Sequence, residues 1–218
     1  GCVQMRQRTD VIFVYDGSFD GFLCCVYEYY YSDFNPVDII CEDDIDASFY
    51  QFVTIETDDV KAEKVKTALK NTITADGLIF LQECMLCYGK DKEYHMFRYA
   101  VKSFKKKTDM RRFVNDEDSI WLMGANRHLK REKHLYLGLV RFYKANDVYI
   151  SVIRPKNKII PMLAHHFTQR FANQNFMIYD ATNKEALLYY EKQTSIIKAD
   201  NIILPEMDDE EIAMQKLW

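Results

Sequence analysis

An aspartate that follows the first apolar run of the sequence is the earliest group that could do chemistry. It lies in the segment Tyr15-Asp16-Gly17-Ser18-Phe19-Asp20-Gly21-Phe22. A strand that ends in Asp-Gly before a capped helix places a carboxylate beside backbone N–H groups, and a helix N-terminus also attracts phosphate. Asp16 is therefore a candidate catalytic residue, although the segment lacks the spacing of a P-loop or a dinucleotide fingerprint. The alternative is a tight strand-to-helix turn in which Asp16 or Ser18 only caps the helix.

A run of cations and histidines forms the second cluster, Arg127-His128-Leu129-Lys130-Arg131-Glu132-Lys133-His134, and Arg141 follows it. The spacing is not His-Glu-x-x-His, which excludes a zinc protease of that type. Lys130, Arg131 and Arg141 are candidate phosphate contacts, and His134 is a candidate catalytic group. Arg127, Lys130, Arg131 and Lys133 span a full helical turn, so they cannot all face one way. The alternative is a solvated basic helix end.

Two adjacent histidines begin the third cluster, His165-His166-Phe167-x-x-Arg170-Phe171, and Tyr179-Asp180 comes later. On a helix His165 and His166 point apart, so the pair cannot easily bind one metal ion. A histidine with an aspartate partner can act as a general base, which makes His166 and Asp180 catalytic candidates. Arg170 is a candidate phosphate contact. The alternative is a histidine that only satisfies an interior hydrogen bond.

Cations alternate with aromatic side chains in Arg98–Arg112, which reads RYAVKSFKKKTDMRR. The aromatics fall at helical spacing and are expected in the core. The exposed charges that remain are suited to backbone phosphates without sequence specificity, and they are Lys105, Lys106, Lys107, Arg111 and Arg112.

The Cys84-Met85-Leu86-Cys87 motif does not predict a metal site, because a second cysteine pair with suitable spacing is missing. Both cysteines lie in an apolar helical stripe, where a free thiol behaves as a small hydrophobe. The sequence therefore predicts no metal site and no cofactor.

The charge of the chain is unevenly distributed. The net charge of −4 hides a balance of −11 over residues 1–63, +1 over 64–97, +11 over 98–170 and −5 over 171–218. Such asymmetry favours a polyanion at the basic segment and a basic protein at the acidic one. The alternative is that the segments neutralise each other in the fold.

The elements that must position these groups follow from hydrophobic periodicity. Strands are expected at 11–15, 37–41 and 52–55, with a helix after Ser18. Further helices are expected to begin near Thr57, Asp76, Asp91 and Asp116. Strands at 137–143, 148–153, 176–179 and 186–190 then surround a helix that Pro161 opens, and a short helix is expected near 206–211.

This order predicts a single α+β domain over 1–218. A central helical region at about 57–133 is flanked by mixed or antiparallel strands, the C-terminal half reads hairpin–helix–hairpin, and 195–218 forms a tail. No apolar stretch approaches the roughly 20 residues that span a membrane. Six cysteines without regular spacing and without an export signal predict reduced thiols in the cytoplasm. The oligomeric state stays open.

With these motifs assembled, the chain resembles the bacterial family called probable DNA metabolism proteins, a domain of unknown function associated with a radical-SAM partner. That domain is also found fused to uracil-DNA-glycosylase-like domains. The resemblance rests on Tyr15 to Leu23, Glu132-x-His134 with Gly138 and Arg141-Phe142, Pro155-Lys156, and His166-Phe167-x-x-Arg170-Phe171 with Tyr179-Asp180.

The resemblance implies a setting of DNA modification or repair and a protein partner that would carry the radical chemistry. The leading hypothesis is an accessory protein that binds nucleic acid and works with a radical-SAM enzyme. A second hypothesis is a hydrolytic or nucleobase-directed enzyme that uses Asp16, His134, His166 and Asp180 in one cleft. A third is a protein–protein adaptor whose acidic N-terminal part docks the partner.

Overall fold

The computed structural model describes residues 8–200, 202–204 and 206. The chain divides into two compact units, unit 1 over residues 1–126 and unit 2 over residues 127–218. A division into compact units does not test whether each part folds alone. The single domain over 1–218 therefore stays a prediction.

Unit 1 contains a three-stranded parallel sheet formed by β1 (Thr9–Tyr15), β2 (Phe34–Cys41) and β3 (Gln51–Thr54). The order is β2-β1-β3, so the first strand is central. Helix α1 (Phe19–Tyr31) connects β1 to β2. The Ser18 hydroxyl accepts a hydrogen bond of 2.9 Å from the Gly21 amide, which confirms the predicted helix cap.

Three long helices complete the elements of this region, α2 (Asp59–Cys84), α3 (Lys92–Lys106) and α4 (Glu117–Leu139). The sequence predicted two helices over the range of α2, and the structure agrees, because a kink at Thr74, whose φ is 69°, divides α2 into two helical segments. Helix α4 begins where expected, because Asp116 caps it through the Ser119 amide at 2.9 Å. The boundary between the two units falls inside α4.

The core of unit 1 is built from aliphatic and aromatic side chains of the sheet and its helices. Phe13, Phe22, Leu69 and Leu81 are completely buried. Burying an apolar side chain of this size contributes about 1.5–3 kcal/mol, so these groups fix how the helices cover the sheet.

Unit 2 contains a five-stranded mixed sheet in the order β4-β5-β6-β7-β8. Its strands are β4 (Tyr143–Ala145), β5 (Val148–Ile153), β6 (Phe176–Asp180), β7 (Glu185–Tyr190) and β8 (Gln193–Lys198). Strands β5 and β6 are parallel, and α5 (Ile160–Arg170) connects them. The other neighbouring pairs are antiparallel. The predicted α+β class and the hairpin–helix–hairpin order are confirmed.

Two sequence-based expectations in unit 2 were wrong in detail. The first three residues of the strand expected at 137–143 end α4, which continues to Leu139, residues 140–142 are neither helix nor strand, and β4 begins only at Tyr143. The expected tail from residue 195 omitted β8, which starts at Gln193. Most of the helix expected near 206–211 lies outside the described residues.

Aromatic rings dominate the core of unit 2. The ring of Phe142 lies 5.7 Å from Phe167, 4.8 Å from Phe171 and 5.9 Å from Phe176, measured between centroids. Tilted and edge-to-face pairs at this spacing add to the free energy gained from area burial. Over the described ranges, no helix has the length and apolar character needed to cross a bilayer.

Candidate nucleic-acid interface and polar sites

The C-terminal half of α4 presents one face of basic side chains to solvent. Arg127, Lys130, Arg131 and His134 are all exposed. Their spacing of three and four residues places them on the same side of the helix. We call these four residues the α4 basic face. Lys133 lies outside this face, as expected from the prediction that the four cations of the run cannot all point one way.

The neighbouring side of α4 points to a loop of the same unit. The Glu132 carboxylate accepts hydrogen bonds of 2.8 Å from both the Lys156 and the Asn157 amides. It also accepts one of 2.6 Å from the Asn157 side chain, which lies 2.9 Å from His128 Nδ1. Glu132 therefore holds the loop after β5.

Asp180, a catalytic candidate, is completely buried at the end of β6. Its carboxylate accepts hydrogen bonds from the Thr182 amide at 2.9 Å and from the Asn183 amide and side chain at 2.9 and 2.7 Å. Burial raises the pKa of Asp180 above its ordinary value despite these bonds. Glu185 lies directly across the strand pair, and burial followed by the charge of Asp180 raises its pKa as well. Two carboxyl groups with raised pKa thus face each other.

The two histidine candidates of unit 2 lie on helix surfaces. His134 is exposed on α4, and His166 is exposed on α5, where its ring meets the edge of Phe167 at 4.9 Å. Neither is a hydrogen-bond partner of Asp180 in the part of the chain that the structure describes. The catalytic roles of His134, His166 and Asp180 stay predictions.

The arginine candidates of unit 2 are exposed. Arg141 donates to the Gly138 carbonyl at 2.8 Å and the Val140 carbonyl at 3.3 Å, which fixes it beside the end of α4. Arg170 lies 5.9 Å from the Phe171 ring centroid in a cation–π contact. Both guanidinium groups stay at the surface, where a phosphate can reach them.

Asp16 lies at the carboxyl end of the central strand of unit 1. Its Oδ1 accepts from the Ser18 amide at 2.9 Å and the Ser18 hydroxyl at 2.6 Å. Its Oδ2 accepts from the Thr57 hydroxyl at 2.8 Å, which ties β1 to the segment after β3. Burial acts to raise the pKa of Asp16, but these hydrogen bonds outweigh it and lower the pKa. Asp16 is thus a fixed, ionised carboxylate, and its catalytic role stays a prediction.

The basic segment of unit 1 is partly neutralised by neighbouring acids. Arg111 binds Asp109 at 2.6 Å and Asp76 at 2.8 Å. Burial opposes the charged form of Arg111, but the hydrogen bonds to Asp109 and Asp76 outweigh it and raise its pKa. The other candidates of this segment are exposed, and they are Lys105, Lys106, Lys107 and Arg112. Arg111 is therefore the member of this group least available to a phosphate.

A histidine–aspartate pair that sequence reasoning missed joins α3 to α4. His95 Nδ1 lies 2.8 Å from Asp118, whose carboxylate is completely buried. Arg98 and Lys102 bind the same carboxylate at 2.6 Å each. Burial acts to raise the pKa of Asp118, but the hydrogen bonds from Arg98, Lys102 and His95 lower it overall. The partners lie more than 15 residues apart, so no local motif could have revealed the pair.

The His95 ring also stacks on an indole. Its centroid lies 4.5 Å from that of Trp121, and the two planes are inclined by 18°. The Asp118 contact at Nδ1 and this stacking together fix the orientation of the ring. The arrangement has the base-and-orienter geometry of general-base catalysis.

The Cys84 and Cys87 thiols lie at the end of α2. A hydrogen bond between them, followed by burial, raises the pKa of Cys84 well above its ordinary range. The same bond, together with the charge of Lys92, lowers the pKa of Cys87 despite its burial. Among the described residues, no group of three or more histidine, cysteine and acidic side chains is arranged to hold a metal ion.

Comparison with known families gives one match. The domain of unknown function DUF4130 matches residues 90–218, which is more than half of the chain. No curated protein matches the chain. The matched range contains the His95–Asp118 pair, the α4 basic face and the buried Asp180. The description of the family assigns no reaction, ligand or partner. On the extent of this match, the chain belongs to the DUF4130 family.

Proposed function

We propose that this protein is an accessory protein of DNA metabolism that binds nucleic acid through the α4 basic face and works with a radical-SAM enzyme. The observation that carries the binding part is the α4 basic face, a set of exposed cations in a segment where lysines and arginines far outnumber acids. The radical-SAM partner is an expectation from the family resemblance. The exposed acidic residues of unit 1 offer a surface that a protein partner could contact.

The charge balance supports the proposal. Residues 127–170 contain ten lysines and arginines but only two acids, Glu132 and Asp147. Glu132 is bound to the Lys156 and Asn157 amides, and Asp147 pairs with Lys144 at 3.0 Å. The segment therefore carries a strong excess of positive charge, and its exposed members include the α4 basic face.

Unit 1 shows the opposite arrangement. Residues 98–126 contain seven basic and four acidic side chains, and every one of those acids binds a cation of the same segment. The electrostatic attraction for a polyanion is consequently weaker there, apart from the exposed group at 105–107 and 112. This contrast favours unit 2 as the main phosphate-binding surface.

The chemistry of the face favours binding without sequence readout. Arginine and lysine contacts to phosphate supply affinity and position, whereas base-edge contacts supply specificity. Three phosphates neutralised by Arg127, Lys130 and Arg131 give a salt slope near −2.7, or about a 40-fold loss of affinity between roughly 50 and 200 mM salt. Arg141 and Arg170 are expected to steepen this slope.

The test is a fluorescence anisotropy titration of labelled single- and double-stranded DNA across that salt range. The variant Arg127→Glu/Lys130→Glu/Arg131→Glu is compared with Lys64→Glu/Lys66→Glu/Lys70→Glu on α2, which changes the net charge equally. We expect the first variant to flatten the salt slope by about 3 and the second to leave it within about 1 of the parent. Equal flattening of the salt slope in both variants would show that DNA binding depends only on net charge. Absence of salt-dependent binding by the parent would remove the proposal.

The partner is tested separately. Purified radical-SAM enzyme from the same cells is added to the protein, and complex formation is followed by analytical ultracentrifugation with and without DNA. We expect a complex with the parent and with the α4 variant. Failure to form any complex would remove the partner and leave the nucleic-acid result untouched.

A second candidate function is a hydrolytic or nucleobase-directed enzyme, which the His95–Asp118 geometry favours. In that case His95 Nε2 would accept a proton from water or a substrate hydroxyl. Oligonucleotides incubated with the protein are analysed by mass spectrometry for strand cleavage or base loss, with His95→Gln as the comparison. Turnover that His95→Gln abolishes while DNA binding is retained would establish the enzyme, and unmodified oligonucleotides would argue against it.

A further inference from the structure

Strand β3 lies at one edge of the sheet in unit 1. The sheet order is β2-β1-β3, so β3 pairs with β1 on one side, and no other strand among the described residues pairs with its second side. Gln51, Phe52 and Thr54 are exposed, so the N–H and C=O groups on that side can pair with another chain. An exposed edge of this kind is a template for adding a strand.

Large apolar side chains surround this edge. Phe49 is fully exposed, Tyr50 is 48% exposed, and Phe52 within β3 is 36% exposed. Ile45, in the loop before them, is 51% exposed. Single exposed hydrophobic residues are ordinary, but four of them within residues 45–52 place much apolar surface in one short segment beside this edge, as is common at interaction sites.

The charge around the edge indicates what kind of partner would bind there. Residues 42–60 carry seven acidic side chains and no lysine or arginine. Four of them, Glu42, Asp43, Asp44 and Asp46, lie in the exposed loop before β3. An acidic or nucleic-acid ligand would be repelled here, whereas a basic polypeptide would be attracted.

We infer that this edge, defined as residues 42–54, binds an extended basic segment of a partner protein that adds a strand to β3. Main-chain hydrogen bonds to Gln51–Thr54 supply the pairing. Apolar side chains of the segment cover Phe49 and Phe52, and its lysines or arginines face the carboxylates of the loop. This surface belongs to unit 1, so the inference does not depend on the nucleic-acid site of unit 2.

The probe is a labelled peptide of alternating lysine and valine, long enough to span β3. Its controls are a glutamate–valine peptide of the same length and a lysine–valine peptide with a central proline, which cannot complete the strand pairing. Binding is measured by fluorescence anisotropy, and protection of the Phe52 and Thr54 amides, which alternate away from β1, is measured by hydrogen exchange. We expect the basic peptide to bind and protect these amides, and both control peptides to bind at least about tenfold more weakly.

Two protein variants separate the apolar and the charged contributions. Phe49→Ser/Phe52→Ser changes exposed side chains and is expected to lower the affinity for the basic peptide by about tenfold or more. A second variant neutralises the loop, Glu42→Gln/Asp43→Asn/Asp44→Asn/Asp46→Asn. It is expected to lower the affinity for the basic peptide and to remove the salt dependence of binding. Glu63→Gln/Asp147→Asn/Glu191→Gln/Asp200→Asn removes the same number of exposed acids away from the edge, so it is the matched control and should bind the peptide nearly as the parent does.

Three results would overturn the inference. Equal binding of the proline peptide would exclude strand addition, and equal binding by the Phe49/Phe52 variant would exclude the apolar surface. A parent protein that is a dimer in solution, with Phe49→Ser/Phe52→Ser a monomer, would assign the edge to a second copy of this chain instead.

Discussion

Substitution of Asp118 by asparagine should destabilise unit 1 more than any change of an exposed acid in the same cluster. The Asp118 carboxylate is completely buried and is shared by Arg98, Lys102 and His95. Removing one partner of a buried ion pair costs about 3–5 kcal/mol. The Arg98 and Lys102 side chains are 32% and 35% exposed, and they keep Glu117 and Asp116 as partners. We therefore expect Asp118→Asn to lower the free energy of unfolding by a smaller amount, about 2–3 kcal/mol.

The assay is urea unfolding followed by the fluorescence of Trp121, which stacks on His95 and reports this cluster. A Trp218→Phe background leaves Trp121 as the remaining tryptophan. With a denaturant slope of about 2 kcal/mol per M, Asp118→Asn should lower the midpoint by about 1–1.5 M. Glu117→Gln is the control, because the Glu117 side chain is 75% exposed and its pairing with Arg98 contributes at most about 0.5–1 kcal/mol.

The same pair of variants predicts a pH dependence. The pKa of Asp118 is lower in the folded than in the unfolded chain, so its contribution is present above the unfolded pKa of about 3.9 and is lost as the pH falls through the folded pKa. The stability difference between parent and Asp118→Asn should therefore shrink at acidic pH. Equal midpoints for Asp118→Asn and Glu117→Gln at neutral pH would refute the assignment of Asp118 as the centre of the cluster.

Other perturbations have equally definite outcomes. Gly89→Ala should lower the thermal midpoint markedly and cost about 2 kcal/mol or more, because φ is +150° and a Cβ would lie 2.6 Å from the Trp121 ring. Gly124→Ala on α4 should raise stability by about 0.5–1 kcal/mol, since a Cβ there meets open space and alanine favours the helix; a melting scan of both variants checks the pair. Because burial raises the pKa of Asp180, the parent should lose stability as the pH rises from the unfolded pKa of about 3.9 through the folded pKa, which calorimetric melts across pH would show. The charge of Glu132 adds to this shift, so Glu132→Gln should weaken the pH dependence, and an unchanged dependence would contradict its contribution.

Local patterns predicted most of the elements. The Ser18 cap, the helix that opens near Pro161 and the hairpin after Phe176 were each read from residues close in sequence. The strand expected at 137–143 was wrong because helix α4 continues through apolar residues that also fit a strand. Strand β8 was missed because all its residues are exposed, so it carries no alternation of buried and exposed positions.

The sites were less predictable, because they depend on contacts between distant residues. The basic run at 127–134 correctly indicated exposed cations, since helical spacing alone places Arg127, Lys130 and Arg131 on one side. Arg111 was predicted to be an exposed charge, but Asp76 and Asp109 bind it, and Asp76 comes from another helix. The pairing of His95 with Asp118 has no signature in the sequence, since two separate helices must pack before the groups meet.

The kink in α2 has a dynamic consequence. Thr74 has φ 69° and ψ 172° in the middle of the element, a conformation that costs a β-branched residue about 1–3 kcal/mol. The interruption breaks the run of backbone hydrogen bonds, so α2 consists of two shorter rods joined at a hinge. Each rod can fray from this internal end as well as from its outer one. The amides just beyond Thr74 should therefore exchange with solvent faster than those at Leu69 or Leu81. The hinge is then the least stable part of α2, the longest helix of the described chain.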